Sequence, residues 1–269
     1  MNLRQYLSGC VLAWLWVITP LQAAPFVAGG SEWRPFSYAD EKGELHGLSI
    51  DIARRVMQLS DVEVRFVSYP VNRLQAMLSR DQIDLNYADS PQWNSAEDLR
   101  RFQFSIPYMN VREHLYFLAG NPLRDKPLEH LQGMTVGMVR GYTYRTLDPA
   151  FADNRLSKLE VSQDTSLLNL LQSGRVDAVA MVDDLFDYLI VKQHFDPATF
   201  GRGALLSDAP LGIKVQPEHA DLLPKINAAI KGMVAGGEVE RIRKSYLPID
   251  QDRDVACDSG VGCSAAPKR

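Results

Sequence analysis

Apolar and polar residues alternate along the chain with two different periods, which predicts a mixed α/β protein. Leu48, Ile52, Val56 and Leu59 have the spacing of an amphipathic helix, whereas residues 62–67 alternate apolar and charged side chains as a half-buried strand does. The same reasoning predicts strands at 26–30, 83–87, 134–139 and 176–181, and helices around Leu74, around Leu170 and over 220–235. Strand and helix alternate on both sides of an apolar segment at 115–119, so the pattern predicts two α/β lobes.

The first 23 residues are typical of an export signal. Arg4 is the only charge before the apolar run 10–18, and Pro20 precedes small residues suited to a peptidase. That run is too short for a membrane helix. A lipid anchor on Cys10 is an alternative, because residues 7–10 match a lipobox. The apolar stretch follows Cys10 rather than preceding it, which argues against the anchor.

The C-terminal tail, residues 249–269, is predicted to be a poorly packed appendage with a disulfide. Cys257 and Cys263 lie close together, and an exported protein meets an oxidising compartment. A metal site is less favoured, since the tail has no histidine and only Asp258 near the pair.

Charge and motif content exclude several function classes. The net charge is −4, with acids and bases interspersed, which argues against nucleic acid as a partner. The five histidines have no metal-ligand spacing, and no nucleophile elbow, phosphate-binding loop or Cys-His pair is present. We therefore expect no catalytic residue, no metal and no cofactor.

An ordered series of short motifs runs through the chain from Trp33 to Ala229. The motifs are Trp33-Arg34-Pro35-Phe36-Ser37-Tyr38, Asp51-Ile52-Ala53, Arg73-Leu74, Ile83-Asp84, Phe104-Ser105-Ile106-Pro107-Tyr108, Leu131-Gln132-Gly133, Gly174-Arg175-Val176-Asp177-Ala178, Leu211-Gly212-Ile213 and Ile226-Asn227-Ala228-Ala229. With these motifs in this order, the chain resembles the bacterial extracellular solute-binding proteins of family 3, the polar amino-acid-binding type.

The resemblance implies a type II periplasmic-binding-protein fold, with two lobes joined by two crossing strands and a ligand cleft between them. Lobe 1 would comprise residues 24–112 plus 206–248, and lobe 2 residues 113–205. It further implies a periplasmic monomer that binds a small polar solute and delivers it to an ABC permease in the inner membrane.

Several candidate ligand contacts follow from the same resemblance. Trp33 matches an aromatic position that stacks on ligand, although a core tryptophan is the ordinary alternative. Thr143, in a turn resembling a helix start, could offer a hydroxyl and free N–H groups, or could be only an N-cap. Asp183 lies one residue from the position of the amine-binding acid.

The arginine that grips the carboxylate of α-amino acids in this family has no counterpart here. Counting from the flanking motifs places Asp98 or Ala96 at its position. The candidate substitutes are Arg34, Arg100, Arg101 and Arg140, although adjacent Arg100 and Arg101 cannot face the same way and both could be surface residues opening a strand.

Asp89 follows a predicted strand and could meet a cationic group of the ligand. Its alternative role is an Asx-type turn before Ser90 and Pro91. Trp93 is a second candidate wall of the cleft. Two other functions remain open: a ligand sensor without transport, and a catalytic relative such as a dehydratase.

Overall fold

The computed structural model describes residues 24–247. Its strands are β1 (Phe26–Ser31), β2 (Tyr38–Ala39), β3 (Leu45–His46), β4 (Val64–Tyr69), β5 (Leu85–Asp89), β6 (Gln103–Phe104), β7 (Met109–Leu118), β8 (Met134–Val139), β9 (Leu156–Val161), β10 (Ala178–Val182) and β11 (Phe200–Val215). Its α-helices are α1 (Leu48–Leu59), α2 (Val71–Ser79), α3 (Ala96–Arg101), α4 (Asp148–Ala152), α5 (Leu167–Gln172), α6 (Asp183–Lys192), α7 (Leu223–Ala235) and α8 (Glu238–Tyr246). The predicted signal peptide and the two tail cysteines lie outside the described residues.

The main sheet has the strand order β4-β1-β5-β11-β7-β10-β8-β9. At one end β1 pairs in parallel with β4 and β5, and at the other β8 pairs in parallel with β9 and β10. Between them the long strands β7 and β11 run antiparallel to each other. The fold therefore has two parallel α/β units connected through two crossing strands, which confirms the predicted fold class.

Several predicted elements are confirmed, with shifted ends. Strand β8 covers the predicted residues 134–139, and α1 buries the apolar face read from the sequence. The strands predicted at 62–67, 83–87 and 176–181 begin two residues later, at Val64, Leu85 and Ala178. The helix predicted over 220–235 begins at Leu223, because Pro224 favours the first turn of a helix and residues 217–222 form 3₁₀ turns instead.

Gly47 is required where the chain enters α1. Its φ is 129°, and an added Cβ would lie 2.3 Å from the Phe36 carbonyl oxygen. We expect Gly47→Ala to lower the free energy of unfolding by roughly 1–3 kcal/mol, the cost of a strained backbone position. Gly43 is the matched control, because its φ is also positive (80°) but the space around it is open. Urea titration should show a smaller loss for Gly43→Ala, and equal losses would contradict the steric explanation.

Candidate functional site

A cavity of about 110 Å³ lies between the two α/β units. The last residues of four parallel strands reach it: Ser31 of β1, Asp89 of β5, Val139 of β8 and Val182 of β10. Open α/β sheets place ligands at these carboxyl ends. Its other lining residues are Trp33, Val71, Leu74, Gln75, Asn86, Ala88, Trp93, Glu113, Gly141, Tyr142, Thr143, Tyr144, Asp164, Leu167, Ala180, Met181 and Leu185. The cavity is therefore mainly apolar and aromatic, with a small number of polar groups.

Trp33 and Trp93 form an aromatic wall of the cavity. Their rings meet edge to face, with centroids 5.8 Å apart. The Trp33 ring also stacks on Phe36 at 3.9 Å, and its backbone forms a bridge with Ser37. Both predicted tryptophans thus lie at the cavity. Trp33 is held rigidly, since one face of its ring already packs on Phe36.

Residues on the two sides of the cavity touch each other. The Thr143 hydroxyl donates to the Trp93 carbonyl at 3.3 Å, and the Arg145 guanidinium donates to the Asn94 carbonyl. An added Cβ on Gly141 would lie 2.5 Å from Asn72 Oδ1, so the backbone also approaches closely there. These contacts hold the two sides together, so the cleft is closed in this structure.

Thr143 occupies a different local structure from the predicted one. No helix begins at 141–143, and the nearest helix, α4, starts at Asp148. The Tyr142 N–H donates to the Val139 carbonyl, so this amide is already used within the turn. The predicted helix start at this turn is therefore wrong, whereas Thr143 does line the cavity.

Asp89 is buried, and its carboxylate already has partners inside the protein. It accepts hydrogen bonds from Asn86 Nδ2 at 3.1 Å, from the Ser90 N–H at 2.7 Å and from Asn94 Nδ2 at 2.9 Å. The Lys214 Nζ lies 3.6 Å away. Burial raises the pKa of Asp89, and the Lys214 charge opposes that rise. The geometry favours a structural role for this carboxylate over the predicted contact with a cationic ligand.

Glu113 projects into the cavity from the crossing strand β7. Neighbouring strand residues point to opposite faces, and Arg112 and Tyr116 line a separate concavity of about 670 Å³. Burial raises the pKa of Glu113 to about 8, with the Asp183 charge adding to the rise and a contact with Ser207 Oγ at 3.5 Å opposing it. At neutral pH this side chain is therefore mainly protonated.

Asp164 closes the cavity beside α5. Its side chain is buried, and its Oδ2 has no hydrogen-bond partner. Burial raises the pKa of Asp164 to about 6, while the Thr165 N–H and the Arg34 charge lower it. Asp164 and Glu113 were not among the sequence-predicted site residues.

The predicted arginines do not line the cavity. Arg101 pairs with Asp81 at 2.5 Å, and Arg100 is exposed. Both belong to α3 rather than to the start of a strand, because Ser95 and Asp98 form a capping box that begins this helix. Arg140 is exposed as well. Arg34 influences the site electrostatically, because its charge lowers the pKa of Asp164. Its guanidinium, however, packs over the Tyr38 ring at 4.6 Å from the ring centroid.

Asp183 also lies outside the cavity lining, on the face of β7 away from Glu113. Its carboxylate contacts His114 Nδ1 and the Tyr116 hydroxyl, each at 2.7 Å, and Arg202 Nη1 at 3.2 Å. It lines the separate concavity instead. Val182, the last residue of β10, lines the cavity in its place.

One group of three potential metal ligands occurs in the described part of the chain. Asp40, Glu44 and His46 lie near the β2–β3 turn, away from the cavity lining. Asp40 accepts hydrogen bonds from the Lys42 and Glu44 N–H groups, so the turn itself explains the cluster. Across residues 24–247, no helix has both the length and the apolar character to span a bilayer.

The cleft and the two crossing strands define a two-lobe binding protein. Residues 26–249 match the bacterial extracellular solute-binding proteins, family 3, and the chain belongs to that family. The arginine-binding periplasmic protein of Mannheimia haemolytica is 25% identical, over 91% of this chain and 98% of that protein.

Solved structures show the same fold. An ancestral arginine-binding protein bound to arginine has a TM-score of 0.70 and 26% identity, and the match covers 83% of this chain and 98% of that one. A histidine kinase sensor domain with similarity to periplasmic binding proteins has a TM-score of 0.71 at 20% identity, over 83% of this chain and 96% of that one.

Proposed function

We propose that the protein captures a small polar solute, an amino acid or a related compound, in the interlobe cavity. The observation that carries the proposal is the cavity at the carboxyl ends of β1, β5, β8 and β10, closed by contacts from both sides. Similar proteins include one named as an arginine-binding periplasmic protein, which supports a polar solute of the amino-acid type.

The lobes would be residues 24–112 plus 206–248 and residues 113–205, with the hinge in β7 and β11. The captured solute would be handed to an ABC permease in the inner membrane by a periplasmic monomer exported through residues 1–23. The relatives named above are binding proteins, so we propose binding rather than catalysis.

Ligand binding is expected to close the cleft. The bound solute can be released by unfolding the protein and identified by mass spectrometry. In small-angle scattering, the refolded, ligand-free protein should have a larger radius of gyration than the same protein after the solute has been added back. The solute should also raise the melting temperature as it saturates the protein. A tight ligand that changes neither quantity would contradict cleft closure.

Arg145→Ala tests the closing contact itself. Without the donor to the Asn94 carbonyl, the closed form is less stable and the affinity for the same solute should fall a few-fold. Arg155→Ala is the matched control, because Arg155 pairs only with Asp153 at 3.8 Å among the ion pairs described. Equal affinities of the two variants would exclude a role for the Arg145 contact.

A further inference from the structure

The charged groups of the cavity are all acidic. Asp89, Glu113 and Asp164 line it, and no lysine, arginine or histidine from residues 24–247 does. Asp89 is compensated inside the protein by Lys214 and two asparagines. The other acidic side chains of the lining are Glu113, which is mainly protonated at neutral pH before ligand binds, and Asp164.

Each of these two acids keeps hydrogen-bonding capacity that the protein leaves unused, although the Thr165 N–H and the Arg34 charge act on Asp164. Asp164 is only 8% exposed, yet its Oδ2 accepts no hydrogen bond. Glu113 has one long contact, with Ser207 Oγ at 3.5 Å. A buried polar atom without a partner is costly, so a ligand that donates hydrogen bonds would relieve both sites.

An α-carboxylate has no cationic side chain to pair with in the lining that residues 24–247 form. Carboxylates are usually held by a guanidinium fork or by a helix N-terminus. Here the candidate arginines lie outside the lining, and the turn at 141–143 begins no helix. A carboxylate placed beside the Asp164 carboxylate would meet like charge instead.

The rest of the cavity suits a small organic cation. The Trp33–Trp93 wall offers aromatic faces and edges, and ammonium groups are attracted to aromatic faces. The volume of about 110 Å³ is below that of an engineered cavity of roughly 150 Å³ that binds benzene. This limits the ligand to a short, compact molecule.

Resting on the proposed solute-binding function, we infer that the cavity selects a small amine that carries no carboxylate, with its nitrogen donating to Glu113 and Asp164. The body of the amine would lie against the tryptophan wall.

Matched pairs of compounds test the inference. Calorimetry with ligand-stripped protein should compare putrescine with ornithine, cadaverine with lysine, and histamine with histidine, since each amine lacks only the carboxylate of its partner. At least one amine should bind, and its parent amino acid should bind about tenfold more weakly or worse.

An amino acid that binds as tightly as its amine would overturn the inference while leaving solute binding intact, and so would failure of all three amines. Failure of all six compounds, with no solute released from the purified protein, would also remove the proposed function.

Two variants locate the contact. Glu113→Gln and Asp164→Asn should each weaken the amine that binds by about tenfold or more, because removing one partner of a buried charged contact is costly. Glu129→Gln is the matched control, since Glu129 is exposed on a 3₁₀ turn away from the cavity. Melting curves establish that each variant folds, and the two variants test the site independently. Unchanged amine affinity in both would overturn the assignment.

Discussion

Replacing Lys214 by methionine should lower the free energy of unfolding by about 3–5 kcal/mol, as expected when one partner of a buried ion pair is removed. Lys214 is fully buried, donates to Asn94 Oδ1 at 2.6 Å and lies 3.6 Å from Asp89 Oδ2. Its ammonium also lies over the Phe102 ring at 4.1 Å. Methionine keeps the aliphatic length but leaves the Asp89 carboxylate buried without a cation. Urea unfolding measures the loss.

The double variant Asp89→Asn with Lys214→Met is the control for that prediction. It removes both charges, so most of the lost stability should return, since a buried ion pair can often be replaced by neutral groups at little cost. A Lys214→Met loss below about 1 kcal/mol would show that the pair is not important for stability. Solute affinity of the double variant also tests Asp89. Near-normal affinity is expected, whereas complete loss of affinity would show that Asp89 contacts the ligand after all.

Glu113→Gln should stabilise the ligand-free protein increasingly as the pH rises. The pKa of Glu113 is about 8 in the folded protein against an ordinary 4.5. Below pH 4.5 the carboxyl is protonated in both states and contributes no difference. Between 4.5 and 8 the unfolded chain releases the proton first, so the wild type loses stability as the pH rises. At about 1.4 kcal/mol per pKa unit, the upper limit of the effect is roughly 4–5 kcal/mol above pH 8.

Melting temperatures of the wild type, Glu113→Gln and Glu129→Gln at pH 5, 7 and 8.5 measure this linkage. The groups that act on Glu113 are Ser207 on β11 and Asp183 at the start of α6, and Glu113 in turn raises the pKa of Tyr144 and Tyr142. The gap between Glu113→Gln and the wild type should widen with pH, while exposed Glu129 gives parallel curves. A constant gap would show that Glu113 ionises normally in the folded protein.

The sequence by itself indicated the architecture and about half of the elements, because the signals of those elements are local. The apolar spacing in α1 and the run at 134–139 needed no knowledge of distant residues, and the order of motifs indicated the two-lobe family. Trp33, Trp93, Asp89 and Thr143 reach the cavity because strand ends and the turns after them converge there in this fold. Helix α8 was not predicted, since it is strongly polar and buries only Val239.

The tertiary structure decided which polar groups face the cavity and which partners they have. Glu113 lies in strand β7, where successive side chains point to opposite faces of the sheet. Which of the two faces meets the cleft depends on how β7 pairs with β10 and β11. Lys214 interrupts an apolar run in β11, which indicates a buried cation that needs an acidic partner. That partner, Asp89, is on β5 and is distant in sequence, so the run itself does not identify it. The candidate arginines lie outside the cavity lining, because an exposed charge can turn to solvent or to a neighbour, as Arg101 does to Asp81, at little cost. Electrostatic roles of this kind depend on distances between elements, which local sequence patterns do not contain.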